Sequence, residues 1–595
     1  MKEKLISKLQ ILLKRFELPW EGTVAFVVRS FSKKERIIFF VFALLMAGSV
    51  LGMLWNINKA FLVHVPAHGG TLVEGAIRSP VLINPLFANS ERASEVDRDL
   101  TALIYSGLLR ANPDGTLSPD LAERYEISGD GLTYTFYLKD NIYWHDGKPV
   151  TADDVVFTIA KAQDSILKSP KRASWDGVVV EEVSQRTIRF ILENPYTPFL
   201  QNMTLGILPK HIWESIDPSQ FEYNRYNREP VGSGPYEWVS TTRDNNDVPL
   251  YYDLAAFDKF ALGKPYINNI RVRFYSNEEN LLKALRSGEI QSTAYISPQD
   301  AEKLSQEGFR VDKTPLLHIF GVFFNQNQKS YFTDKSVRTA LNNTVDKERI
   351  ISEVFHGYAT PIDGPLPPGA LGYEGYQVST KTLEERIADA RALLIKDGWT
   401  YDNEKRVMIK KVKKETQELS FSISTISPSV IPALKSAAAI IKENWEQLGA
   451  HVDVKVFETK GDLSQNAIRP RKYDALLFGE IIGRDSDPFA FWHSSQRLDP
   501  GLNIALYVNI KADKALEEGR KLSDVDARAE KYQTFGNMVK DDIPGVFVYS
   551  PDLTYALPKE IGGVKIGHIV TPAERFIAVH TWYLEKTNVW KIFVK

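Results

Sequence analysis

Between Ile37 and Ile57 the chain runs for 21 residues without a charged side chain (IIFFVFALLMAGSVLGMLWNI). At 1.5 Å per residue a helix of that length is roughly 31 Å long, enough to cross the hydrocarbon core of a bilayer. The pattern predicts one membrane-spanning helix. Residues 1–36 hold nine Lys or Arg against four Glu, with Lys33, Lys34 and Arg36 at the boundary, whereas the far flank has only Lys59. The positive-inside rule then places the N-terminus in the cytoplasm and the bulk of the chain outside it. Leu5, Leu9, Leu12, Leu13 and Phe16 recur at helical spacing among Lys2, Lys4, Lys8, Lys14 and Arg15, a pattern for a basic helix lying on the inner leaflet or for a solvated stub. A cleaved signal peptide, with secretion of the mature chain, is the competing reading, and Val65-Pro66-Ala67 would be its cleavage site. The length of the apolar run and of the charged leader favours a retained anchor.

Beyond a linker at residues 58–69 the periodicity becomes mixed. Strand-like runs occur at Thr71–Ala76, Tyr134–Leu138, Ile270–Phe274, Phe320–Asn325, Leu419–Ser424, His451–Phe457 and Ala475–Phe478. Helical stripes fall at Ala93–Leu109, Ala152–Ala162 (with Thr151 as cap and Asp154 three residues on), Lys335–Thr344, Glu384–Lys396, Leu434–Leu448 and Ala527–Lys540. This alternation predicts α/β lobes with largely parallel sheets and a ligand site at the carboxyl ends of strands. The basic run Lys410–Lys414 between two strand-like stretches reads as a solvated hairpin face.

Composition narrows the chemistry. The 595 residues include 73 Lys or Arg and 75 Asp or Glu, a net charge of −2, which makes nucleic acid a poor partner. There is no cysteine, so disulfides, thiol nucleophiles, Cys-ligated metals and lipidation through cysteine are excluded. The zinc-protease helix, the nucleophile elbow, the phosphate-binding loop and the dinucleotide fingerprint are all missing. Asp485, Ser486 and Asp487 with His493 resemble a metal cluster only by chance adjacency. The sequence therefore predicts neither an enzyme nor a cofactor.

Several segments carry a family likeness. They are Asn84-Pro85, Leu121-Ala122-Glu123, the run Ser128-Gly129-Asp130-Gly131-Leu132-Thr133-Tyr134-Thr135-Phe136, then Trp144-His145-Asp146-Gly147 and Val150-Thr151-Ala152-Asp153-Asp154-Val155. Val231-Gly232-Ser233-Gly234-Pro235-Tyr236, Gly364-Pro365-Leu366-Pro367-Pro368-Gly369, Asp397-Gly398-Trp399 and Asp487-Pro488 follow in order. From about Thr71 to Tyr583 the chain resembles the family 5 solute-binding proteins of ABC importers, which include dipeptide, oligopeptide and nickel binders. The resemblance implies a large bilobal periplasmic-binding-protein fold of the class II type with an inserted extra domain. On this chain lobe I would be 70–109 with 231–317 and 552–595, the inserted domain II 110–230, and lobe III 318–551, after a cytoplasmic segment 1–36, the helix 37–57 and the linker 58–69. It also implies that a peptide-like solute is held in the cleft and handed to permease subunits of an ABC transporter.

Peptide binders of this family place an ammonium-binding aspartate three residues before the Asp-Pro pair, and here that position is Arg484. An arginine repels an ammonium and favours a carboxylate or phosphate. The expected cleft is thus Arg484 as anion or carbonyl anchor, Asp485 as ammonium partner, Phe489 and Trp492 as apolar walls, Ser424 and Thr425 as polar contacts, and Arg78 as a weaker candidate. Uptake of nickel or a metal chelate, an anchored peptide or wall-fragment hydrolase and a non-transport sensor are the alternatives.

Overall fold

The computed structural model describes residues 26, 28, 30–88, 90 and 92–593; the basic amphipathic pattern of residues 2–16 lies outside them. The chain forms two compact units, Met1–Ala67 with Lys586–Lys595, and His68–Glu585.

In the first unit α1 (Lys33–Phe61) starts at Ser32, whose hydroxyl accepts from the Glu35 N–H while Glu35 reaches back to the Ser32 N–H. This capping box satisfies two end donors and starts the helix four residues before the apolar run. None of its 29 residues is buried. The strand β1 (Leu62–Ala67) follows at once and pairs with the C-terminal strand Glu585–Trp590.

The second unit is organised around three sheets. Along the chain come β2 (Gly69–Ile77), α2 (Glu95–Ile104), β3 (Ala122–Ile127), β4 (Thr133–Leu138), α3 (Ala152–Gln163), β5 (Val179–Ser184), β6 (Thr187–Ile191), β7 (Tyr236–Arg243), β8 (Pro249–Ala256) and β9 (Ile267–Tyr275). Then follow β10 (Arg310–Pro315), β11 (His318–Phe324), β12 (Ser420–Ile426), α4 (Pro432–Leu448), β13 (His451–Phe457), β14 (Ala475–Ile481), α5 (Val525–Asp542) and β15 (Gly545–Leu557); the strand β16 (Glu585–Trp590) belongs from Lys586 onward to the first unit. The sheet orders are β2-β9-β8-β7, β3-β4-β6-β5 and β10-β15-β11-β14-β12-β13. Only β2–β9, β12–β13 and β12–β14 are parallel among these pairs. The expected parallel character is therefore confined to three ladders, because the shorter connections such as residues 244–248 close hairpins: Asp244 accepts from the Asn246 and Val248 N–H groups and turns β7 into β8.

Several elements differ from the sequence reading in length. The stripe Ala93–Leu109 forms α2 only over Glu95–Ile104, boxed by Ser94 and Asp97. Beyond it the chain is extended, and a Cβ at Gly107 would stand 2.6 Å from the Met203 carbonyl, an approach that a glycine allows. Strand β14 runs three residues past the expected Phe478. The boundary expected at residues 551/552 falls inside β15, which is continuous from Gly545 to Leu557 and pairs first with β11 and then with β10.

One buried ion network joins the first sheet to remote chain. Arg575, with no exposed surface, donates to both carboxylate oxygens of Asp99 on α2 at 2.7 Å and to Glu74 on β2 at 3.0 Å. Tyr555 of β15 and Ser292 hydrogen-bond Glu74, and Tyr295 hydrogen-bonds Asp99 at 2.7 Å. Burial opposes the Arg575 charge, but Asp99 and Glu74 hold its proton well above the ordinary range. Arg575→Met strips the paired cation from two buried carboxylates, and removing one partner of a buried pair costs about 3–5 kcal/mol. A urea titration is expected to show that loss; an unchanged midpoint would mean that the network contributes nothing net.

Candidate functional site

In the third sheet, β12 continues through α4 into β13 on one side, and the chain then returns as β14 on the other side of β12. The carboxyl ends of β12 and β14 thus flank a topological switch point, where open α/β sheets bind ligands. The two strands also part there. Their ladder is limited to Ile423↔Ala475 and Ser424↔Leu476, so residues 477–481 of β14 pair only with β11 among the described residues. Ile481 at the end of that edge is 53% exposed.

The loop after β14, Gly483–Pro488, is rigidly held. Ser486 adopts φ +55, in the left-handed region, its N–H bonds the Gly483 carbonyl at 2.8 Å, and its buried hydroxyl accepts from the Leu371 N–H at 2.9 Å. Non-glycine residues in that region mark positions where surrounding contacts fix the backbone. The loop projects three charges to different partners. Arg484 donates to the His568 carbonyl and forms an ion pair with Glu574, its side chain only 5% exposed. Asp485 pairs with Arg528 of α5 at 3.0 Å. Asp487 pairs with Arg520 at 2.9 Å and accepts from the Tyr196 hydroxyl at 3.4 Å, while the Arg520 guanidinium lies over the Tyr196 and Phe489 rings.

A cavity of about 370 Å³ adjoins this loop, within the size range of small-molecule sites. Its walls come from α2 and the chain after it (Arg98, Tyr105, Arg110), from the segment near the second sheet (Lys171, Trp175, Gln201), from residues 570–577, and from Arg484. Four cations line it, Arg98, Arg110, Lys171 and Arg484, against two carboxylates, Asp120 and Glu574. Arg110 pairs with Asp120 at 2.9 Å and Arg98 with Glu95 at 2.6 Å. Lys171 has no ion pair within 4 Å among the described residues. Burial pulls its ammonium below the usual lysine range, with Glu574 opposing and Arg98 adding to the shift. The cavity therefore favours a ligand that brings negative charge.

The structure distributes the expected site residues unevenly. Arg484 lines the cavity, but its guanidinium is engaged by Glu574; Asp485 is engaged by Arg528. Phe489 is half-buried between Arg520 and His493, stacking on the latter at 4.1 Å. Trp492 is not a cleft wall: it has no exposed surface and packs on Phe323, Tyr507, Phe535 and Phe547 inside the third sheet's core. Its place four positions after Pro488, at the end of the short helix Phe489–Trp492, turns the indole inward. Ser424 and Thr425 are buried within β12, and the Thr425 hydroxyl donates to the Leu477 carbonyl at 3.2 Å. Arg78 is exposed just after β2, at φ +70, and is not among the cavity's lining residues. His493 faces Glu517 and Ser495 rather than the two aspartates of the loop. Sequence reasoning missed Arg98, Lys171 and Glu574, because nothing local marks them; only the fold brings them to one cavity.

Together these features are a mixed α/β fold with a topological switch point in its third sheet and a charged cavity beside the loop that follows β14. A family model, bacterial extracellular solute-binding proteins, family 5 Middle, matches residues 116–499. The oligopeptide-binding protein AppA of Bacillus subtilis is 27% identical over 528 residues, covering 88% of this chain and 93% of the relative. The crystal structure of AppA from Bacillus subtilis with a nonapeptide covers 88% of this chain and all of that one at a TM-score of 0.65 and 25% identity. The ABC transporter substrate-binding protein CtaP of Listeria monocytogenes aligns with a TM-score of 0.71 and 27% identity over 87% of this chain and all of its own. The chain belongs to the bacterial extracellular solute-binding proteins, family 5.

Burial raises the Asp485 carboxyl to about 6, with Arg528 opposing and Asp487 adding to the rise. A carboxyl whose folded value lies above its unfolded value of about 3.9 takes up a proton on folding between those limits. Its penalty on stability is complete above pH 6 and vanishes below pH 4, so this group makes the fold more stable as pH falls through that window. Melting temperatures of the native chain and of Asp485→Asn across pH 4–7 are expected to differ in slope by the uptake of about one proton. Parallel curves would remove Asp485 from this role.

Proposed function

We propose that the protein is a membrane-anchored, extracytoplasmic receptor that captures a peptide-like ligand and delivers it to the permease of an ABC importer. In this reading the β2, β3 and β11 sheets are the cores of lobe I, the inserted domain II and lobe III, and the strands β10 and β15 are the hinge between lobes I and III. Capture is lobe closure, driven by a ligand that contacts both faces better in the closed state. No turnover takes place and no cofactor is used.

Two observations support the reading: the cavity that adjoins the loop after β14 through Arg484, and, separately, residues 477–481 of β14, which among the described residues form a ladder only with β11. An extended peptide adds to such an edge through main-chain hydrogen bonds, which give affinity with little dependence on side chains. The charges then select its ends. Lys171, the cavity cation without an ion pair among the described residues, receives a carboxylate of the ligand, with Arg98 beside it and Arg484 as a further donor. Arg484 stands where peptide binders of the family hold the ligand ammonium, so a free N-terminus contributes little here. The names of the relatives, oligopeptide- and dipeptide-binding, support a peptide class.

Lys171→Gln is expected to weaken binding of peptides with a free C-terminal carboxylate by roughly tenfold or more, the value of one charge-assisted hydrogen bond of about 1.5–3 kcal/mol. Arg484→Asp is expected to weaken the same peptides, and C-terminally amidated peptides are expected to be indifferent to both changes. Calorimetry with a peptide pool and its amidated counterpart reads the difference. Equal affinities for native and substituted chains would sink the anionic-ligand reading, and absence of any peptide-induced thermal shift in the native chain would sink the receptor reading.

A further inference from the structure

We infer that the C-terminal tail is a second membrane contact, which clasps the outer end of α1 and seats Trp590, Ile592 and Phe593 at the boundary between headgroups and acyl chains. The inference rests on the anchored reading of α1. Asn56 and Asn58 are the first amide side chains at this end of the apolar run and Lys59 the first charge after it, so Asn58 lies where the helix leaves hydrocarbon. The Trp590 indole N–H donates to the Asn58 side chain at 2.7 Å, and its ring stacks on Phe61 with centroids 6.2 Å apart and an interplanar angle of 26°. Trp590 is thereby fixed at the depth where tryptophan is enriched in membrane proteins, its apolar body toward lipid and its N–H bonded.

The backbone enforces the same placement. Strand β1 follows α1 without a linker, and β16 pairs with it, so the tail is brought to the helix end by a two-stranded ribbon. Polarity changes abruptly along the tail: Glu585-Lys586-Thr587-Asn588 is succeeded by Val589-Trp590-Lys591-Ile592-Phe593. Ile592 is 72% and Phe593 74% exposed, as is Trp55 of α1 at 70%. They follow directly on Trp590, which is held at the end of a helix that is itself unburied, and Lys59 and Lys591, next in sequence to Asn58 and Trp590, carry ammonium groups suited to lipid phosphate. The occupant of the patch is therefore the bilayer surface. Cleavage after Ala67 would remove β1 whole and leave β16 without its partner, so the ribbon has a purpose only when α1 is retained.

The chain has no cysteine, so single labels are unambiguous. Phe593→Cys and, separately, Leu51→Cys in the middle of α1 are labelled with an environment-sensitive fluorophore in the full chain. Each is then reconstituted into vesicles of phosphatidylcholine and phosphatidylglycerol carrying headgroup-proximal or mid-chain quenchers. The expected result is blue-shifted emission at both positions, with Leu51→Cys losing intensity mainly to the mid-chain quencher and Phe593→Cys mainly to the headgroup-proximal one. Water-like, unquenched emission at Phe593→Cys with Leu51→Cys quenched would overturn the tail contact while leaving the anchor standing. Unquenched emission at both would overturn the anchor and the tail contact together.

Discussion

The buried guanidinium of Arg575 is the constraint from which the site takes its shape. It reaches Glu74, 501 positions earlier in the chain, and Asp99. Desolvating such a group offsets most of its Coulombic gain, so a buried network of this kind fixes register more than it adds stability. Its neighbour on the short helix Pro572–Phe576 is Glu574, which instead meets Arg484 and accepts from the Val570 N–H at 2.7 Å. A single helical turn thus faces two ways. Arg575 pins it to β2 and α2, and that pinning presents Glu574 to the cavity.

The loop after β14 follows the opposite logic. Arg484, Asp485 and Asp487 each find an oppositely charged side chain from elsewhere in the fold, so the loop enters the site already neutralised. A ligand carboxylate that approaches Arg484 competes with Glu574, and the affinity it gains is the difference between two ion pairs, not the whole of one. Lys171 imposes no such exchange. Its partly desolvated ammonium gains from any anion that enters. In the proposed reading these two of the cavity's cations therefore have different jobs: Arg484 holds the protein's own surfaces together, and Lys171 is the one offered to a guest.

Periodicity sufficed where structure is local. The Thr151–Asp154 capping box at the start of α3, the strand His451–Phe457 and most helix bounds were legible because their causes lie within a few residues. Family likeness was legible in the Ser128–Phe136 run for the same reason: Ser128 and Asp130 tie the turn between β3 and β4 through the Thr133 and Leu132 N–H groups. What escaped was set at long range. Trp492 looks like a pocket aromatic in sequence, yet four aromatic neighbours from residues 323, 507, 535 and 547 enclose it. Glu574 and Lys171 carry no motif, and their meeting depends on how separate segments fold together.

Two of the helices, α4 and α1, show why burial, not composition, assigns an element its surroundings. α4 hides eight side chains, among them Leu434, Ile441, Trp445 and Leu448, against the third sheet. α1 is longer and more apolar and hides none. The hydrophobic effect leaves such a surface in water only at great cost, which supports the proposal that α1 enters hydrocarbon. Length and apolarity suit a retained anchor and an export signal alike, and the distinction falls to the segment that follows. An export signal ends in a small-residue site that is cut, and in the anchored reading proposed above the segment is kept. Here that segment is β1, and its ladder groups are spent on the last strand of the chain.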